Sequence, residues 1–216
     1  MKLSDQTLSV LKNFSQINPS VVFRPGQTIR TISPQKTVMA AANVEEMFET
    51  TAGVYDLSRF LATISLFDEP DVVFGENQFE IVGGKSALKY TYTSENMIVT
   101  PPNNDIVVPS PEATIDISWS AIEGVIRAAG VLGLPEIAFS SDGSTVTLSA
   151  VDSKNPTSDT FSSSVAEGGD FGEFRMVVKT ENLKLLPSDY VVSLSSKGMA
   201  HFASDKVNYW IAIESK

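Results

Sequence analysis

The sequence predicts a strand-dominated α+β fold in two similar halves, on three observations. A proline-rich segment lies at mid-chain, each flanking half runs in the coarse order helix, strands, helix, strands, and short β-branched runs outnumber helical ones. The mid-chain segment, 100–112, reads TPPNNDIVVPSPE and carries Pro101, Pro102, Pro109 and Pro111 around a polar Asn103-Asn104-Asp105 step. Proline has no amide to donate and resists both helix and central strand, so this stretch is expected as an extended connector. The expected division is 1–104 as the N-terminal domain, 105–112 as the connector and 113–216 as the C-terminal domain. No residue-level repeat relates the halves.

In the first half Ser4 is a helix cap, because its hydroxyl can accept from the unpaired amides of a first turn, and Leu8, Leu11 and Phe14 follow at helical spacing. Val21-Val22-Phe23 and Val38-Met39-Ala40 read as strands, with turns at Pro25-Gly26 and Ser33-Pro34. Over 56–67, Leu57, Phe60, Leu61, Ile64 and Phe67 form one apolar stripe behind Asp56 as N-cap, and Asp68-Glu69-Pro70 stops that helix. Residues 72–93 read as further strands turning at Gly75-Glu76-Asn77 and Gly83-Gly84.

In the second half 114–119 alternates as a strand. Ser120-Ala121-Ile122-Glu123 reads as a capping box for a third helix, with Ile122, Val125, Ile126 and Ala129 on one face and Gly130 or Gly133 ending it. Residues 136–151 are expected as a hairpin turning at Ser141-Asp142-Gly143-Ser144, and 160–165 and 174–178 as two more strands. A short fourth helix over 180–186 is stopped by Pro187, and strands at 190–194, 199–203 and 207–213 complete the chain.

Composition narrows the chemistry. Of 216 residues, 42% are hydrophobic and 19% charged, a balance that builds a core and excludes disorder. The absence of cysteine excludes disulfides, thiolate metal sites and Cys nucleophiles, and the single histidine, His201, leaves at most one imidazole base. The opening Met1-Lys2-Leu3-Ser4-Asp5 lacks the apolar stretch of a secretory leader, and no window reaches membrane-spanning length, so a soluble intracellular protein is expected.

With 16 basic against 26 acidic residues the net charge is −10, which argues against simple electrostatic affinity for nucleic acid and makes the placement of the basic residues decisive. The four expected helices carry acids in their first turns (Asp5, Asp56, Glu123, Glu181), where capping and the helix dipole explain them. Beyond the first turn the charges are basic: Lys12, Arg59, Arg127 and Lys184. Dipole complementation and a Glu123–Arg127 pair at i, i+4 would account for these equally well. If the apolar stripes pack on sheets, however, the helices expose only small and basic residues, a face suited to loose contact with a phosphate backbone.

Other motifs carry no chemistry. Gly83-Gly84-Lys85-Ser86 resembles the end of a phosphate loop but precedes a strand rather than a helix N-terminus, so it is a turn. Asp68-Glu69-Pro70-Asp71 could hold a hard cation but reads equally as a solvated loop, and His201 reads as a strand residue.

The opening Met1-Lys2-Leu3-Ser4 with Thr7-Leu8 and Leu11-Lys12-Asn13-Phe14, the stretch Val54-Tyr55-Asp56-Leu57 leading into Phe60-Leu61, and the closing Asn208-Tyr209-Trp210-Ile211-Ala212 resemble the DNA polymerase sliding clamps of large tailed bacteriophages. These are similar in architecture to proliferating cell nuclear antigen. The resemblance in architecture spans the chain and is strongest at residue level in the first 67 residues. It implies two clamp-type domains, each with antiparallel sheets and two helices, in a ring of three chains whose twelve helices line a central hole.

The function so implied is a non-enzymatic processivity factor in the cytoplasm of the infected bacterial host. It would encircle duplex DNA, tether the replicative DNA polymerase, dock other replication or transcription factors and depend on a separate ATP-driven loader, with no cofactor, metal or catalytic residue of its own. Carried over by position, Lys2, Lys12, Arg59, Arg127, Lys179 and Lys184 would face the duplex. A partner-peptide pocket beside the connector would draw on Val38, Ile106, Val107, Val108, Tyr209 and Ile211. Composition alone fits a β-rich virion or assembly protein equally well, and a carboxylate-based hydrolase remains a third option.

Overall fold

The computed structural model describes residues 1–103 and 106–214. The Asn104-Asp105 step of the expected connector lies outside the described residues. The chain divides into two compact units, Met1–Asn103 and Asn104–Lys216.

The N-terminal unit begins with α1 (Asp5–Ile17), whose Ser4 cap accepts from Thr7 N at 3.2 Å. The Glu46 carboxylate adds a second, long-range cap by accepting from Ser4 N and the Thr7 hydroxyl. Burial alone would raise the pKa of Glu46, but these hydrogen bonds win and hold it below the ordinary carboxylate range. The helix buries Val10, Leu11, Phe14 and Ile17, a single stripe, against β3 (Val38–Phe48).

Strands β1 (Val21–Phe23) and β4 (Ala52–Val54) pair antiparallel, as do β2 (Gly26–Ile32) and β3. At Gly53 a side chain would meet Thr93 O at 2.2 Å, so only glycine lets the 93–94 backbone close on β4, where Thr93 N donates to Gly53 O at 2.8 Å. Helix α2 (Leu57–Ile64) starts at Asp56, which accepts from Arg59 N at 2.8 Å, and buries Leu57, Phe60 and Ile64. Strands β5 (Asp71–Phe74), β6 (Gln78–Gly83) and β7 (Ser86–Thr91) form an antiparallel sheet in that order, with the Gly84-Lys85 turn where the sequence places it. Phe23, Phe48, Phe60, Phe74 and Phe79 form the centre of the core, with Phe60–Phe79 and Phe74–Phe79 centroids each 4.8 Å apart.

The C-terminal unit departs from expectation in three places. First, α3 (Trp119–Leu132) begins one residue before the expected capping box, and the side chain of its N-cap, Ser118, accepts from none of the helix amides. Strand β8 (Ala113–Ile117) pairs with β11 (Tyr190–Ser195) so that Ile117 faces Tyr190. That register delivers Asp189 to the start of α3, where its Oδ1 accepts from Trp119 N at 2.7 Å. Gly133 closes the helix in the left-handed conformation, φ 66°.

Second, 136–151 is not a hairpin but one long strand, β9 (Glu136–Val151), pairing throughout with β10 (Phe161–Lys179). Asp142 does form the turn-like bonds its neighbours predict, accepting from Ser144 N at 2.9 Å and Thr145 N at 2.8 Å, with Gly143 at φ 102°. The chain continues because β10 bulges opposite: Thr145 faces Glu167, then Gly143 faces Gly172.

Third, the expected fourth helix is only a 3-10 turn, Thr180–Asn182. Leu183 and Leu185 are buried, a period of two that suits extended chain. The Leu186 amide, which a helix would turn back on Asn182, donates instead to the Tyr209 hydroxyl oxygen at 3.0 Å, and the Leu186 carbonyl accepts from the Tyr190 hydroxyl at 2.6 Å. Strands β12 (Met199–Ala203) and β13 (Val207–Ala212) complete an antiparallel run β13-β12-β11-β8. Tyr190, Phe202, Phe139 and Tyr209 form its buried aromatic centre. The architecture is α+β with antiparallel sheets, with three α-helices among the described residues.

Candidate functional site

The basic residues singled out by the sequence fall into two clefts and two stretches of open helix. In the N-terminal unit a cleft of about 460 Å³ lies between α1 and α2, floored by Leu8, Leu61 and Ile64 and rimmed by Lys2, Lys12 and Glu69. Lys12 is exposed between buried Leu11 and Asn13, as the stripe on α1 requires. Lys2 is tied down: its Nζ donates to Glu69 Oε2 at 2.7 Å, which raises the ammonium pKa and lowers that of the carboxylate. In the C-terminal unit a cleft of about 610 Å³ beside Ile126 and Gly130 of α3 collects Lys179, Lys184 and also Lys154. Lys179 stands 4.0 Å from Glu181.

Arg59 on α2 and Arg127 on α3 are exposed on helix surface outside both clefts. Arg59 lies close to Tyr90, whose phenol is pushed up by burial and by the Asp56 carboxylate and pulled down by the Arg59 charge. The three helices thus present basic side chains away from their buried faces, and the segment after β10 does so without being a helix.

The connector is held by the C-terminal unit. Trp210 Nε1 donates to Ile106 O at 3.0 Å, Ser195 Oγ to Pro109 O at 2.5 Å, and Lys197 Nζ to Ser110 Oγ at 3.2 Å. Glu112 accepts from Ser196 N at 2.8 Å and from the Ser196 hydroxyl. Burial would raise the Glu112 pKa; the Ser196 hydrogen bonds and the Lys197 charge bring it below the ordinary value. His201 stacks on Trp210 with centroids 4.8 Å apart at 15° and bonds Asn208 Oδ1 at 3.1 Å; its pKa is lowered by burial.

Between these anchors Val107 is 83% exposed, and Ile106 and Val108 are half-buried. The other three pocket candidates lie in the core. Val38, Tyr209 and Ile211 are buried, and the Tyr209 hydroxyl accepts from Leu186 N.

Lys154 escaped the sequence reading. It follows β9 in an exposed turn with no periodicity, and it reaches Lys179 only because Ser153 N donates to Oε2 of Glu136 at the other end of β9, where Glu136 pairs with Lys179. A further cleft of about 420 Å³ in the N-terminal unit, lined by Val21, Arg24, Arg30, Ile98, Val99 and Pro101, was equally invisible because it joins segments about seventy positions apart. Among the described residues no three His, Asp or Glu side chains are grouped to hold a metal ion, and no helix is long and apolar enough to cross a membrane.

The sequence matches two family models: residues 3–99 the DNA polymerase processivity factor, and residues 114–215 the gp45 sliding clamp, C terminal. The chain is 34% identical over 221 residues to the sliding clamp of Vibrio phage KVP40, covering 100% of both chains. It is 26% identical over 223 residues to the sliding clamp of Enterobacteria phage T4, covering 100% of this chain and 97% of that one. Among solved structures it is similar to A. fulgidus PCNA bound to the C-terminal region of FEN-1, with TM-score 0.71, 17% identity and coverage of 97% and 95% of the two chains.

Proposed function

The chain belongs to the sliding clamp family of non-enzymatic DNA polymerase processivity factors, and from that premise we propose that three copies close into a ring around duplex DNA and tether the replicative polymerase to it. The observation that carries the reading is the end-to-end match of both units to phage clamps; nothing comparable supports a virion or assembly role.

Two free strand edges supply a means of closure. Among the described residues β7 pairs only with β6, and β10 only with β9. The β7 edge is flanked by Lys85 and Lys89, while the first half of β10 is flanked by Asp159, Glu167 and Asp170 with Phe161 exposed. Unlike edges of opposite charge favour a head-to-tail contact, the kind that generates a closed ring. Three chains at −10 each carry −30, so attraction to phosphate is weak and retention is topological, helped by Lys12, Arg59, Arg127, Lys179 and Lys184. Lys2, engaged by Glu69, contributes by exchanging that partner for phosphate.

Ile106, Val107 and Val108 form the accessible apolar part of a docking site for polymerase peptides, backed by Trp210. Polymerase that lets go stays at high local concentration and rebinds, which is the origin of processivity. Opening and loading fall to an ATP-driven loader in the cytoplasm of the infected host. Sedimentation equilibrium should give three times 23.3 kDa, and extension on a primed circle should lengthen products when clamp and loader are both present. A stable dimer, or a trimer without effect on product length, would refute the reading.

A further inference from the structure

We propose that Lys154 is a phosphate-contacting residue, acting with Lys179 and Lys184 as a three-lysine grip at the cleft beside α3; this rests on the reading of the chain as a ring around duplex DNA. The three lysines come from three separate segments, the turn after β9, the end of β10 and the extended stretch after the 3-10 turn, yet line one cleft. In a chain with 26 acidic and 16 basic residues, such convergence runs against composition.

The loop that carries Lys154 is fixed. Ser153 N donates to Glu136 Oε2 at 3.0 Å and Lys154 N to Asp152 Oδ1 at 2.9 Å, so these two carboxylates are engaged by backbone amides, while Glu181, which with Glu136 also lines the cleft, stands by Lys179 and leaves three ammonium groups against two carboxylates there. The Lys154 side chain is exposed and forms no ion pair among the described residues. A compact ammonium on a flexible stem can follow a passing phosphate without selecting a base, which is what a sliding contact requires. The cleft also continues the helical surface already argued to face the duplex: Ile126 lines it and Arg127 is the next residue. At Gly130 an added Cβ would meet nothing within 4 Å, so the approach is open.

A competing role for these lysines is to offset the negative end of the α3 dipole, since they surround its last turn. The two roles separate experimentally. The chain contains no cysteine, so Arg127→Cys, Lys154→Cys and Lys197→Cys each introduce a unique thiol in the full-length protein. Each variant is loaded onto circular duplex DNA carrying haloacetyl groups on phosphorothioate positions of the backbone. Crosslinking is expected from Arg127→Cys and Lys154→Cys but not from Lys197→Cys at the connector. Crosslinking from Arg127→Cys without Lys154→Cys overturns the three-lysine grip and leaves the ring; crosslinking from neither overturns the ring and the grip together. In parallel, Lys154→Glu should reduce the slope of log retention against log salt by about 1 with an unchanged thermal midpoint. A lowered midpoint with an unchanged slope assigns the lysine to the helix dipole and overturns the proposal.

Discussion

Replacing Trp210 by Phe should loosen the connector while leaving the rest of the C-terminal unit folded. The substitution keeps an aromatic ring under His201, whose ring stacks on Trp210, but deletes the indole N–H that donates to Ile106 O at 3.0 Å. One neutral hydrogen bond contributes about 0.5–1.5 kcal/mol net. The local opening equilibrium of the connector therefore rises by about 2- to 12-fold, since 1.4 kcal/mol corresponds to a factor of ten. The anchors at Pro109, Ser110 and Glu112 remain, so the effect is confined to the segment from Ile106 to Val108. Hydrogen exchange read by mass spectrometry on a fragment spanning 106–112 should quicken by that factor, and polymerase-peptide affinity should fall in step with the sedimentation mass unchanged. Unchanged exchange over 106–108 would refute the argument that the indole is what fixes this end of the connector.

Charge reversal on the helices, Arg59→Glu with Arg127→Glu, should shorten polymerase products on a primed circle while sedimentation still shows the wild-type mass; normal product length would remove both residues from the DNA face. Asp189→Ala removes the side-chain cap on Trp119 N and should cost about 1 kcal/mol, lowering the melting midpoint by about 2–4 °C. Phe60→Ala empties the centre of the N-terminal aromatic core and should cost about 3–5 kcal/mol in denaturant titration. The Glu46 carboxylate has a folded-state pKa below its unfolded one, so its stabilisation is present above the unfolded pKa and is lost as pH falls through the folded value. The melting midpoint of Glu46→Gln should therefore lie below wild type at neutral pH and converge with it in acid; a constant difference would refute the linkage.

What could be read directly were the features whose cause is local. Helices α1 and α2 each carry their own cap, Ser4 and Asp56, and their own apolar stripe, and both appear where those signals sit. The same holds for the terminal strands, whose alternation needs no partner to be recognised. The exposed positions of Lys12, Arg59 and Arg127 follow from the same periodicity, because a residue off a buried stripe must face outward.

The features decided by tertiary structure are those where a local signal can be satisfied in more than one way. Asp142-Gly143 meets its hydrogen-bond demand in a bulge as well as in a reversal, and the opposing bulge on β10 selects the former. The amide at the start of α3 is capped by Asp189, placed there by the β8–β11 register rather than by Ser120. The Leu186 amide is taken by the Tyr209 hydroxyl, so no helix forms over 180–186, and Tyr209 is held in the core. Lys154 joins Lys179 and Lys184 only because the turn after β9 bonds back to Glu136 at the far end of that strand, opposite Lys179. Caps and stripes within a few residues are properties of the chain itself; the choice among equally satisfied hydrogen bonds, and the meeting of distant charges, belongs to the packed structure.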